Sequence, residues 1–165
     1  MTEFDVTLRP AGPDDADLVA SMYRGVAYES YAAMFLGDTA IMAGLRAHFD
    51  GMANAAAVTL ADPVQTYILA SLGNTAVGMG GYQEERRLIH SMYLVPEARG
   101  KGLGRSMLQK LLETSNDRPV FVDVATGNAA AARFYHNAGF MEAGIVRDWI
   151  LANGAVVPLQ ILKLS

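Results

Sequence analysis

The chain alternates between stretches in which every second residue is apolar and stretches in which apolar residues recur every three or four positions. The first pattern is typical of half-buried strands and the second of amphipathic helices. Strand patterns occupy residues 4–9, 65–71, 75–82, 88–95, 120–124, 140–146 and 156–164. Helix patterns occupy residues from about 15 to 27, 38–54, 102–115 and 129–137. The hydrophobic pattern therefore predicts alternating groups of strands and helices in a fixed order.

Short turn signals join some of these segments into pairs. Gly73-Asn74 and Asn153-Gly154 are typical of hairpin turns, and the charged loop 84–87 predicts that the strand at 88–95 runs antiparallel to the one before it. The order of elements predicts an α/β (α+β) fold, a mixed sheet with helices on both faces. With 165 residues, the chain is long enough for one domain over 1–165 and too short for two.

The composition narrows the chemistry that this domain can perform. Apolar residues make up 52% of the chain and charged residues 18%, which favours a packed globule over disorder. Cysteine is absent, which excludes disulfides, thiolate zinc sites and a cysteine acyl-enzyme. His48, His90 and His136 lie far apart and lack the spacing of zinc hydrolases, so no metal site is expected.

Charge and hydropathy also limit the partners. The net charge of −4 argues against nucleic acid. No run of 18 apolar residues suggests a membrane span, and residues 1–5 lack the basic-then-apolar order of a signal peptide. We therefore expect no membrane partner and a cytoplasmic location.

The segment Arg99-Gly100-Lys101-Gly102-Leu103-Gly104 lies between a predicted strand and a predicted helix. The unpaired amides at a helix start attract anions, and glycines let a phosphate approach the backbone. Arg99, Lys101 and Arg105 add cationic donors. The spacing fits neither a P-loop nor a dinucleotide-binding fingerprint. The alternative is an ordinary strand-to-helix connection with a solvated basic edge, in which the glycines would weaken the helix start without benefit.

Two motifs resemble those of the GCN5-related N-acetyltransferase family. The segment Val95 to Gly104, with its Arg-x-x-Gly-x-Gly spacing, is similar to the family's pyrophosphate motif, and the segment Val124 to Phe140 is similar to its next strand and helix. Leu8-Arg9-Pro10-Ala11 also resembles the family's usual opening. The resemblance spans nearly the whole chain and implies a mostly antiparallel sheet of about seven strands. It also implies that the fourth and fifth strands splay apart and that acetyl-CoA lies in the gap.

The resemblance assigns cofactor contacts to both motifs. The backbone of Met92, Tyr93 and Leu94 would bind acetyl-CoA as a surrogate strand, and the Met92 or Leu94 amide would polarise the thioester carbonyl. The pyrophosphate would lie on the turn, with contacts from Arg99, Gly100, Lys101, Gly102, Leu103, Gly104 and Arg105.

The second motif supplies two further candidates. Asn128 would bond to the pantetheine arm or to a water molecule beside it, and it can also serve as a helix cap. Tyr135 would contact the cofactor and protonate the departing thiolate as general acid. The alternative for Tyr135 is a buried helix tyrosine with a structural hydrogen bond.

The general base is less well marked, because Leu88 stands where the family often has a glutamate. Alternation along the strand places His90 on the same face as Leu88, Met92 and Leu94, and an imidazole has a suitable pKa for proton abstraction. A structural histidine is the alternative. Glu29, Glu84 and a chain of water molecules are other routes for the proton.

These residues predict an acyl-CoA-dependent N-acyltransferase that uses direct attack by a primary amine, most simply on acetyl-CoA. The expected acceptor is a small or amino-acid-like amine, or a protein N-terminus. Residues 28–36, the loop 82–87 and the final hairpin around Trp149 would hold it. The alternative is a non-catalytic CoA-binding regulatory module of the same fold. The chain is expected to be a monomer or a homodimer.

Overall fold

A computed structural model describes residues 5–115 and 117–165. The strands are β1 (Val6–Pro10), β2 (Gln65–Leu72), β3 (Thr75–Gln83), β4 (Leu88–Leu94), β5 (Val120–Ala125), β6 (Met141–Ile150) and β7 (Val156–Leu164). The helices are α1 (Ala16–Met22), α2 (Tyr28–Ala32), α3 (Thr39–Asn54), α4 (Ala56–Ala61), α5 (Leu103–Leu112) and α6 (Ala129–Asn137). A π-helical turn, Tyr23–Ala27, joins α1 to α2.

The seven strands form one sheet in the order β1-β2-β3-β4-β5-β7-β6. Each neighbouring pair is antiparallel except β4 and β5, which are parallel. This topology confirms the predicted mixed, mostly antiparallel sheet of about seven strands. The predicted start of the first strand at Phe4 lies outside the described residues.

Helices cover both faces of the sheet, as predicted, and each face has its own core. On one face, α1, α3 and α4 pack against the sheet around Tyr23, Leu45 and Phe49. On the other face, α5 and α6 pack around Met107 and Phe140. We call these the α1/α3 face and the α5/α6 face.

Three stretches differ from the sequence prediction. The first helix continues past residue 27 as α2, because the π turn keeps the chain helical. The helix α4 was not predicted, since its six residues are too few to show a helical period. The strand β6 runs to Ile150, beyond the predicted end at 146. Most of its residues are exposed and its register shifts between Glu142 and Val146, so the alternation fails there.

The parallel pairing of β4 and β5 is very short. It joins Leu88 to Phe121 and Ile89 to Val122, and no register pair follows. The strand β4 stays paired to β3 as far as Leu94. The two central strands therefore diverge toward the Leu94 end of β4, which confirms the predicted splay.

A β-bulge interrupts β4 just beyond this fork. The β3–β4 register passes from Gly81↔His90 to Met79↔Tyr93, so two β4 residues lie opposite Gly80. Ser91 occupies the bulge with φ 55°, in the left-handed region that side chains rarely adopt.

The bulge reverses the alternation of side chains along β4. A Cβ atom on Gly81 would lie 2.6 Å from the His90 ring, whereas one on Gly80 would lie 2.7 Å from the Met92 sulfur. His90 therefore lies on the α1/α3 face, and Met92 and Leu94 lie on the α5/α6 face. The prediction that His90 shares a face with Met92 and Leu94 is wrong, because the extra residue shifts the period by one.

Candidate active site

The divergence of β4 and β5 opens a cleft of about 900 Å³ through the middle of the molecule. Its walls come from the two strands, the glycine turn before α5, the helix α6 and residues 26–34. The sequence-predicted residues that line it are His90, Met92, Tyr93, Leu94, Arg99, Gly100, Gly102, Gly104, Arg105, Asn128 and Tyr135. Lys101 and Leu103 do not line it.

The edge of β4 that faces the cleft has no backbone partner in β5 beyond Ile89. The Val95 amide donates to the Val77 carbonyl at 2.8 Å, so the amide of Val95 points toward β3. Because backbone groups alternate along a strand, Leu94 and Met92 direct their amides to the opposite, open edge. The Arg99 Nε donates to the Leu94 carbonyl at 2.9 Å on that edge. The open edge therefore offers the Met92 and Leu94 amides to an extended ligand.

The glycine turn has the geometry of an anion site. Gly100 and Gly102 have φ of 75° and 79°, a conformation in which any side chain is strained. Gly102 is the N-cap of α5 and provides no side-chain cap. A Cβ atom on Gly104 would lie 3.3 Å from the Phe134 ring, so α5 and α6 approach closely there.

The side chains around this turn divide into two groups. Arg99 and Arg105 are exposed and line the cleft, where they can meet a phosphate. Leu103 is only 4% exposed and packs into the core of the α5/α6 face. Lys101 is exposed outside the cleft. In the structure, these two residues offer a cleft ligand their backbone amides rather than their side chains.

Asn128 has a confirmed structural role at the start of α6. Its side-chain oxygen accepts a hydrogen bond from the Ala131 amide at 3.1 Å, which makes it the N-cap of the helix. The residue also lines the cleft, so its contact with the cofactor stays a prediction beside the capping role.

Tyr135 projects from α6 into the cleft while most of its ring is buried. Among the residues that the structure describes, none forms a hydrogen bond with its hydroxyl. Burial raises the pKa of Tyr135 well above its usual value, and the nearby Tyr31 adds to this shift. The phenol therefore holds its proton at neutral pH and faces open space in the cleft.

Acidic and aromatic side chains line the opposite part of the cleft. Burial and the Asp123 carboxylate raise the pKa of Tyr31 to about 12. Asp123, whose partner could not be predicted, forms an ion pair with Arg147 of β6. Trp149 packs edge-on against Tyr31, with 5.4 Å between ring centroids. Glu29 completes the acidic part of this wall.

His90 lies at the fork between β4 and β5, and side chains hydrogen-bond both of its ring nitrogens. Its Nδ1 lies 2.9 Å from the Ser91 Oγ, and its Nε2 lies 3.0 Å from the Gln65 Oε1. The Tyr67 ring packs against it edge-on. Burial lowers the pKa of His90 to about 4, and the charge of Arg86 adds to the effect. The imidazole is therefore neutral at physiological pH.

Part of the predicted acceptor wall lies away from the cleft. The loop 82–87 precedes the paired end of β4, away from the opening, and none of its residues lines the cleft. Glu84 in this loop is therefore displaced as a candidate base. Leu88 is buried beside the same closed end, where it pairs with Phe121. Of the carboxylates considered as alternative bases, only Glu29 reaches the cleft.

Comparison with known proteins agrees with this geometry. Residues 33–140 match the model of the acetyltransferase (GNAT) family. Over 102 residues the chain is 32% identical to the N-alpha-acetyltransferase RimI of Mycobacterium tuberculosis, a match that covers 58% of this chain and 65% of that protein. The chain thus matches less than two thirds of the length of its curated relatives.

Solved structures show the same fold. The GCN5-related N-acetyltransferase "Aminotransferase, Class-II" from Rhodopseudomonas palustris superposes with a TM-score of 0.77 at 20% identity, covering 100% of this chain and 99% of the other. Spermidine N-acetyltransferase from Vibrio cholerae, in complex with CoA and spermine, superposes with a TM-score of 0.64 at 19% identity, covering 96% and 94%.

The splayed sheet, the glycine turn and the matched region together define an acetyltransferase fold with a cofactor cleft. The chain belongs to the acetyltransferase (GNAT) family. This confirms the predicted family and fold.

Two further features of the described ranges, 5–115 and 117–165, bear on partners. None of the helices there combines the length and apolar character that crossing a bilayer requires. In the same ranges, no three histidine or acidic side chains converge as a metal site would require.

The burial of neutral His90 predicts a pH-dependent stability. Its pKa is about 4 in the folded chain and about 6.5 in the unfolded chain, so the unfolded chain binds more protons between these values. The contribution of neutral His90 to the free energy of unfolding should therefore be fully present above pH 6.5. It should fall by about 3 kcal/mol as the pH drops to 4. Urea unfolding of the wild type and His90→Gln across this range measures the effect. If the free energy of unfolding depended on pH equally in the two proteins, the prediction would be contradicted.

Proposed function

We propose that this chain transfers the acetyl group of acetyl-CoA to the primary amine of a small or amino-acid-like acceptor, by direct attack and without an acyl-enzyme. One observation carries the proposal. A single cleft joins the open edge of β4, the glycine turn and the Tyr135 hydroxyl. These three features supply, respectively, a carbonyl-polarising donor, a pyrophosphate site and a proton donor.

The donor would lie along β4 as a surrogate strand. Its pyrophosphate would meet the amides of residues 100–105 and the guanidinium groups of Arg99 and Arg105. The thioester carbonyl would accept a hydrogen bond from the Met92 or Leu94 amide. As the amine attacks, negative charge grows on that carbonyl oxygen, so the preorganised amide stabilises the tetrahedral intermediate more than the substrate.

Tyr135 would act as the general acid. Collapse of the intermediate releases the CoA thiolate, which needs a proton to become a good leaving group. A phenol with a raised pKa keeps its proton until a strong base forms beside it, and the thiolate is such a base. The Tyr135 hydroxyl has no hydrogen bond to a described residue, so it is available to donate its proton. A hydroxyl engaged in a structural hydrogen bond would suit this role less well.

His90 would act as the general base at a late point in the reaction. A weakly basic imidazole cannot take a proton from a free alkylammonium ion, but it can take one from the acidic ammonium of the tetrahedral intermediate. The acceptor must then bind as the neutral amine. This requirement favours an α-amino group, with a pKa near 8, over a side-chain amine near 10.4.

The acceptor would approach from the wall that carries Glu29, Tyr31 and Asp123. The Glu29 carboxylate on this wall supports an acceptor with positive charge away from the attacking nitrogen, whereas Asp123 is already paired with Arg147. The same wall contains Tyr31, whose contact with Trp149 links it to the final hairpin. The approach wall thus consists of part of the predicted region 28–36 and the strand β5.

The catalytic proposal predicts a loss of turnover in Tyr135→Phe. The substitution should lower kcat by about a hundredfold or more, with little change in acetyl-CoA binding, because it removes only the proton donor. Thiol release from acetyl-CoA measures kcat with spermidine, free α-amino acids and a short peptide as acceptors. Tyr82→Phe is the matched control, since Tyr82 is a buried tyrosine outside the cleft.

The alternative function predicts a different result in the same assay. A non-catalytic CoA-binding module would bind acetyl-CoA tightly and acetylate none of these amines. Tyr135→Phe would then behave as Tyr82→Phe does, and the enzymatic proposal would be wrong.

The cofactor site predicts a specific effect of Gly102→Ala. A Cβ at φ 79° strains the N-cap of α5 by about 1 kcal/mol and turns the amides away from the pyrophosphate. Calorimetry should show acetyl-CoA affinity reduced about tenfold, the loss of one charge-assisted hydrogen bond. Gly73→Ala introduces similar strain, at φ 57°, in the β2–β3 turn outside the cleft. Equal affinities for the two variants would contradict the assigned site.

A further inference from the structure

The hydrogen bonds of His90 limit how it can exchange protons with a substrate. Its Nε2 is bonded to Gln65 and its Nδ1 to Ser91, so neither ring nitrogen is open to the cleft. The Ser91 hydroxyl is therefore the group through which a proton can travel between the cleft and the imidazole. Ser91 itself lines the cleft, two residues beyond the last β4–β5 pair.

The backbone of β4 is distorted at the residue that makes this connection. Ser91 adopts φ 55° in the bulge, a conformation that costs a non-glycine residue about 1 kcal/mol or more. The distortion turns its side chain toward the α1/α3 face beside His90 while it remains at the cleft wall. In a regular strand these neighbours would point to opposite faces.

The hydrogen bonds also fix a direction for the proton. The Gln65 Oε1 can only accept, so the imidazole Nε2 carries the hydrogen and Nδ1 is a free acceptor. The Ser91 hydroxyl then donates to Nδ1. Its oxygen accepts from the Tyr23 hydroxyl at 2.7 Å, which in turn accepts from Tyr67 at 2.8 Å.

Among the described residues, Tyr23 is the hydroxyl within hydrogen-bond distance of the Ser91 oxygen, and the Tyr67 hydroxyl lies close to both. A hydroxyl oxygen has two lone pairs, and Tyr23 occupies one of them. The second can accept a hydrogen bond from a group in the cleft. The Ser91 hydroxyl therefore donates to the His90 imidazole, while its oxygen can accept a proton from a substrate in the cleft.

We propose that Ser91 relays the amine proton to His90, an inference that rests on the proposed acetyltransferase function. In the tetrahedral intermediate, the ammonium N–H bond breaks as a new O–H bond forms on Ser91. The original Ser91 O–H bond breaks as the Nδ1–H bond of His90 forms. The thiolate takes its proton from Tyr135. Exchange with water then removes one proton from the imidazolium and returns one to the phenolate.

The relay predicts a kinetic effect confined to the chemical step. Ser91→Ala should lower kcat by about a hundredfold, the usual contribution of general-base catalysis, and leave the acetyl-CoA Kd unchanged. The assay uses the most rapidly acetylated of spermidine, alanine and a short peptide. A proton inventory in mixed H₂O and D₂O should be curved for the wild type, where two protons move in the relay, and closer to linear for the variant.

Two matched variants separate the relay from a structural role. Tyr67→Phe removes a hydroxyl that bonds Tyr23 in the same cluster but carries no relayed proton, and should keep most of its kcat. Ser91→Gly relieves the strained φ and should be more stable than the wild type, yet lose as much kcat as Ser91→Ala. Equal losses in Tyr67→Phe and Ser91→Ala would overturn the relay. Recovery of kcat in Ser91→Gly, or accumulation of acetyl-Ser91, would also overturn it.

A measurement on the resting protein tests the relay without turnover. Nitrogen-15 NMR of His90 should show hydrogen on Nε2 and an unprotonated Nδ1 whose shift moves in Ser91→Ala. Hydrogen on Nδ1 would overturn the relay, because the ring could not accept the Ser91 proton. Absence of turnover in the wild type with every acceptor would contradict the proposed function itself, so the two failures are distinguishable.

Discussion

The short pairing of β4 with β5 is the constraint on which the rest of the structure depends. The two strands share only the pairs that begin at Leu88 and Ile89, although β4 stays bonded to β3 and β5 to β7. Backbone amides in the middle of a protein need partners, and the open edge of β4 has none from β5. The fold therefore contains an open strand edge in its middle, with the glycine turn at one end of the cleft and a phenol in its wall.

The bulge at Ser91 separates β4 into two parts whose side chains lie on opposite faces of the sheet. Beyond it, Met92 and Leu94 place their side chains against α5 and α6, while their amides face the cleft. Before it, His90 is held on the opposite face by Gln65. One extra residue thus separates the group that would bind the thioester from the group that would remove the amine proton.

The sequence predicts the parts of this site that local rules determine. The turn around Gly102 and the cap at Asn128 follow from residue types with specific backbone preferences, and the structure contains both. The reversed face of His90 could not be predicted, because the bulge places a serine at positive φ without a glycine to mark it. The position of the loop 82–87 away from the cleft is a consequence of sheet register, which strand periodicity alone does not show.

Amide hydrogen exchange at β4 tests the central claim most directly, that acetyl-CoA binds along the open edge of β4. The account predicts that saturating CoA slows exchange at the Met92 and Leu94 amides, which face the open edge. The Tyr93 amide faces β3 and should change little. Unchanged exchange at Met92 and Leu94, in a protein that binds CoA, would contradict the account.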